Sequence, residues 1–132
     1  MDKMDNTEYA REWLYFAEMD LSSAEFLLEK HPVPMEIICY HCQQSAEKCL
    51  KGFLVINGVM PPKNHDLKEL YNLCEPFNSN IGAIMAQCDA LDPYGVQPRY
   101  PREIAITEQK MNAAIQNAKA IFSFMQPLIQ SK

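Results

Sequence analysis

The chain has 132 residues, 48% hydrophobic and 22% charged, a composition that suits one folded domain and excludes a disordered tract. Its formal charge of −5 excludes a surface that holds nucleic acid through its whole field, while leaving room for a local basic groove. No run of about 18 apolar residues is present to span a membrane. The polar start "MDKMDNTEYAREW" lacks a secretory pattern, so a cytoplasmic protein is expected.

The first predicted helix covers about Thr7 to Lys30, where Tyr9, Trp13, Phe16, Ala24 and Leu27 return at helical steps. Asn6 or Thr7 is the expected cap, and "HPVP" ends the helix because proline can neither donate its amide nor continue the turn. A second long helix is expected from Val33 or Pro34 to Ile56, with Asn57-Gly58 as its left-handed exit. Short helices follow at about His65 to Cys74, capped by Asn64, and at about Ser79 to Leu91. The proline-rich "DPYGVQPRYPRE" reads as an extended loop, and a last helix spans about Ile104 to Ile129. No window alternates with period two. The expectation is therefore a single all-α domain over 1–132, an antiparallel up-and-down bundle of about five helices.

Five cysteines without an export signal fit a reducing compartment and free thiols. Cys39 and Cys42 form a C-x-x-C, but no second pair stands at zinc spacing and no strand precedes it, so these cysteines read as core residues. Neither a metal nor a cofactor is expected.

Four features do not follow from packing alone. In "YHCQQSAEKCLKGFL", with His41 at zero, Ser45, Lys48 and Gly52 lie within about 40° on a helical wheel, and Gln44 and Lys51 about 60–80° to one side. The apolar side (Ile38, Cys42, Ala46, Cys49, Leu50, Phe53) lies opposite, which makes the stripe a shoulder of the helix. Gly52 weakens a helix by ~1 kcal/mol relative to Ala and implies close approach of a neighbour. Asp20 falls on the line of Tyr9, Trp13, Phe16 and Leu27, where an unpaired carboxylate is costly; its candidate partners are His41, Lys48 and Arg99. "NHDLKEL" sets His65 and Asp66 at a helix start that favours an anion, with Asp66 as a capping acid. "PYGVQPRYPRE" offers Tyr94, Arg99, Tyr100 and Arg102, side chains suited to phosphate and to stacking on a base. A structural network of helix-bridging contacts explains the same residues.

Together, "AEMDLSSAEFLL", "YHCQQSAEKCLKGFL", "NHDLKEL" and Arg99-Tyr100-Pro101 resemble the HEPN family of helical nucleotide-binding domains, in that family's order and over about Tyr9 to Ala120. The resemblance implies a helical bundle, often homodimeric, frequently encoded with a minimal nucleotidyltransferase and found in toxin–antitoxin or defence systems. One branch cleaves RNA without metal, through an arginine followed five to seven positions later by a histidine. Here Arg11 is followed at those offsets by Phe16, Ala17 and Glu18, Arg99 by Ile104, Ala105 and Ile106, and Arg102 by Thr107, Glu108 and Gln109. No histidine follows His65. The resemblance is thus to a branch without that pair. It implies a noncatalytic pocket of His41, Gln44, Lys48, His65, Arg99 and Tyr100, which Asp20 joins by the burial argument, binding a nucleotide or RNA. Two alternatives stand beside it. One is a ribonuclease with His41 or His65 as base and Arg99 steadying the phosphate. The other is a ligand-free interaction module presenting Phe122 to Ile129.

Overall fold

The computed structural model describes residues 3–95 and 105–130. Among them are five α-helices and no strand: α1 (Lys3–Phe26), α2 (Met35–Ile56), α3 (Leu67–Cys74), α4 (Met85–Leu91) and α5 (Glu108–Gln130). Short 3-10 turns follow α1, α3 and α4 and precede α4. The all-α expectation holds.

Each end has a local cause. α1 starts before the expected caps, so Asn6 and Thr7 lie inside it. α2 stops where Gly58 takes a φ of 81°, and the Val59 amide reaches back to the Leu54 carbonyl at 2.9 Å. α3 begins at Leu67 rather than His65. Its cap is Asp66, whose carboxylate accepts from the amides of Lys68 and Glu69, while Asn64 accepts from the Asp66 amide. The expected helix from Ser79 is instead a 3-10 turn, Ile81–Ile84, leading into α4.

α1 and α2 form the central pair. Gly52 approaches Ala10 and Trp13, Ser45 bonds the Ala17 carbonyl, and Lys48 and His41 meet Asp20, which fixes an antiparallel register. α5 crosses both helices and runs antiparallel to α1: Arg11 bonds the Gln130 carbonyl and Lys119 pairs with Glu25. α3 packs on α2, and α4 on α3 and α5.

The buried side of α1 differs from the sequence expectation. It is Ala10, Leu14, Ala17, Leu21 and Ala24, spaced alternately four and three residues apart, while Phe16 is exposed and Tyr9 and Trp13 sit at the flank. Three alanines on this seam let the α2 backbone come close, and the larger side chains are displaced to the edges. Asp20 consequently lies beside the seam, half-buried, not in its middle. The apolar side of α2 is as read, with Ile38, Cys42, Ala46, Cys49, Leu50 and Phe53 all buried. On α5, Ile121, Met125 and Ile129 are core, and Phe122, Phe124 and Leu128 pack against it. The segment proposed as a free interaction face is therefore mostly spent on the bundle. Among the exposed large apolar side chains, Tyr15, Phe16, Met19 and Phe26 stand on α1, and Ile37, Met60, Leu73, Phe77 and Met85 are spread over the rest of the bundle.

Candidate functional site

All five cysteines are free and buried. Burial pushes the Cys39 thiol up to about 11 and Cys42 to about 12, so both stay protonated at neutral pH and serve as packing. Among the described residues, no group of three or more His, Cys, Asp or Glu is arranged to hold a metal ion.

The polar edge of α2 meets α1 at Asp20. The His41 Nδ1 lies 3.0 Å from one Asp20 carboxylate oxygen, and Lys48 donates from its Nζ to the other. The side chains of Asp20, His41 and Lys48 are 14%, 29% and 24% exposed, so the trio is seated in the bundle yet reached by water. Burial raises the Asp20 carboxyl, but hydrogen bonds and charge from His41 and Lys48 outweigh it and hold the group below the usual carboxylate range. Beside the trio, Ser22, Ser23, Phe26, Leu27 and His41 line an open groove of about 530 Å³.

A depressed folded pKa contributes stability that is present above the unfolded value and is lost as pH falls through the folded one. The wild type should therefore exceed Asp20→Asn by about 1–2 kcal/mol at neutral pH, and the gap should close below about pH 4. Urea midpoints of both proteins at pH 7, 5 and 3 measure it; a gap unchanged at pH 3 would show that Asp20 is not the titrating group.

Among the described residues, the other predicted ones do not join this trio. Gln44 donates to Gln43 Oε1 at 3.4 Å, and Ser45 is sealed between the helices. His65 belongs to a second cluster. Its Nδ1 lies 3.0 Å from both carboxylate oxygens of Glu47, which also takes the Lys51 ammonium at 3.0 Å. Glu47 and Lys51 are only 4% and 7% exposed. Lys51 stands 5.6 Å over the Trp13 ring, and Gln43, fully buried, donates to the His65 carbonyl at 2.9 Å. The sequence reading leaves out Gln43 and Glu47 and places Lys51 only to one side of the stripe. The available signal was slight: Gln43 lies about 20° from Leu50 on the helical wheel, at the edge of the apolar side, whereas Glu47 and Lys51 at i, i+4 read as a solvated pair.

Two further expectations change. The first α3 amides do not await an anion: Asp66 accepts from Lys68 and Glu69, and Asp92 accepts from Leu67 at 2.9 Å. Tyr94, offered as a stacking face, is buried. Arg99 and Tyr100 lie outside the described residues, as does Arg102.

The arrangement fits a known family. Residues 10–128 match the HEPN domain. The chain belongs to the HEPN domain family. This HEPN chain is 27% identical over 103 residues to "Putative toxin MJ1304" of Methanocaldococcus jannaschii, an alignment covering 73% of the chain and 66% of that relative. Its fold is similar to the crystal structure of TT1696 from Thermus thermophilus, with a TM-score of 0.74 at 23% identity over 90% of this chain and 97% of that one. It is also similar to ST0689, described as an archaeal HEPN homologue, with a TM-score of 0.70 at 25% identity over 91% and 97%.

Proposed function

We propose that this HEPN protein binds a nucleotide or an RNA phosphate at the Asp20–His41–Lys48 trio, as the noncatalytic member of a toxin–antitoxin-type system with a minimal nucleotidyltransferase. The observation that carries the reading is the trio's position, with His41 contributing to both the ion-paired cluster and the adjoining groove. A phosphate entering there meets His41, competes with Asp20 for Lys48, and leaves the Phe26 ring as an apolar face for a base. Gln44, bonded to Gln43, is left out of it. Arg99, Tyr100 and the partner enzyme enter on the family resemblance, and the toxin setting is supported by the similarity to the Methanocaldococcus protein. The noncatalytic role rests on the missing arginine–histidine spacing. His65 is left out of this pocket, because its Nδ1 pairs with Glu47 in a separate cluster.

Association as a homodimer is part of the same reading. The exposed Tyr15, Phe16, Met19 and Phe26 of α1 are the apolar side chains that a second copy would cover, next to the groove. Calorimetry with ATP and a short single-stranded RNA should show binding that Lys48→Ala weakens about tenfold. Light scattering of the same sample should give twice the 15.2 kDa chain mass. Absence of heat with both ligands at millimolar concentration would remove the binding reading, and a monomer mass would remove the dimer.

A further inference from the structure

The second cluster lies apart from the trio, and its construction exceeds what holding a loop requires. Gln43 already fastens the His65 backbone through its carbonyl. The ring adds little burial, since the side chain is 71% exposed. Yet beneath it two charged side chains, Glu47 and Lys51, are enclosed in the bundle, and both oxygens of Glu47 lie within hydrogen-bond distance of one ring nitrogen. A buried ion pair contributes little net stability compared with apolar residues of similar volume. What this one does is fix the imidazole: Nδ1–H donates to a carboxylate that is itself held by Lys51, and Nε2 carries the free lone pair at the surface.

We propose that His65 is a phosphoryl-acceptor site, taking a phosphoryl group on Nε2 from a reactive donor of the phosphoramidate, acyl-phosphate or nucleoside-triphosphate class. The Nε2 lone pair attacks phosphorus, and the N–P bond forms as the bond to the leaving group breaks. Nδ1 keeps its proton and its bond to Glu47, whose negative charge offsets the positive charge developing on the ring. With phosphoramidate the leaving group departs as ammonia, and no other reactant is needed. Glu47 is the positioning residue, held in turn by Lys51. The amides at the start of α3 take no part, since Asp66 and Asp92 already occupy them.

The test uses the full chain with potassium phosphoramidate as the probe. His31, exposed on the α1–α2 connection and bonded to no carboxylate among the described residues, is the reference within the same molecule. Peptide mass spectrometry should show His65 phosphorylated about tenfold faster than His31. The ³¹P spectrum should place the group on Nε2. Glu47→Gln should bring the His65 rate down to that of His31. The double variant Glu47→Leu/Lys51→Met, which removes the carboxylate without leaving a buried charge, should do the same while its circular dichroism stays native. Equal rates at the two histidines in the wild type, or a His65 advantage that survives in the folded double variant, would overturn the assignment. ATP binding at the trio is measured separately, so neither result decides the other.

Discussion

Replacing Glu47 by leucine should lower the unfolding free energy by about 3 kcal/mol or more, whereas replacing Glu47 and Lys51 together by leucine and methionine should leave it within about 1 kcal/mol of the wild type. The two side chains are almost wholly enclosed, 3.0 Å apart, on adjacent turns of α2. Alone in that position, either charge has lost its hydration and keeps only a partial substitute. Lys51 retains the Trp13 ring at 5.6 Å, worth on the order of 2 kcal/mol when desolvated. Glu47, if Lys51 is removed, still has the His65 ring. Lys51→Met should therefore be the milder of the single changes. For a chain of this size, 3 kcal/mol corresponds to a fall of roughly 10 °C in Tm. Denaturant titration of the four proteins forms a double-mutant cycle. If the double variant loses as much as the two single variants summed, the charges are not coupled to each other, and the buried pair as described is wrong.

That pair also shows where sequence reading stops. Glu47 and Lys51 at i, i+4 are the ordinary signature of a solvated helix pair, and only the fold reveals that they are enclosed. The helices themselves were legible because their ends are written in local chemistry: prolines after α1, and Gly58 with its positive φ after α2. The buried side of α1 was not. Its alanines carry little hydrophobic signal, so the sequence pattern runs through Trp13 and Phe16, although backbone approach favours the small residues. Asp20 is legible in the sequence as a carboxylate near an apolar face in need of cations, and His41 and Lys48 supply them. His65 was noticed without its partner, since Glu47 lies 18 residues away and its pairing is a tertiary fact.

Gly52 binds the fold and the trio together, and its replacement by leucine should cost about 3 kcal/mol. A β-carbon built there would stand 3.1 Å from the Trp13 Cβ, 3.2 Å from the Ala10 carbonyl oxygen and 3.3 Å from the Ile129 Cδ1. Ile129 can move its side-chain tip, but the Ala10 carbonyl cannot yield without the backbone of α1. Alanine should be tolerated within about 1 kcal/mol, because its higher helix propensity offsets the crowding. A branched side chain has no such exit and must push α1 and α5 off α2 together. The same α1–α2 register carries Asp20 to His41 and Lys48, so a displaced α1 also separates the ion pairs. Gly52→Leu should therefore lose, beyond its stability, the acid-dependent contribution of Asp20, and its urea midpoint should respond less than that of the wild type between pH 5 and pH 3. A Gly52→Leu protein within about 0.5 kcal/mol of the wild type would mean that the helices stand further apart than the Gly52 distances require.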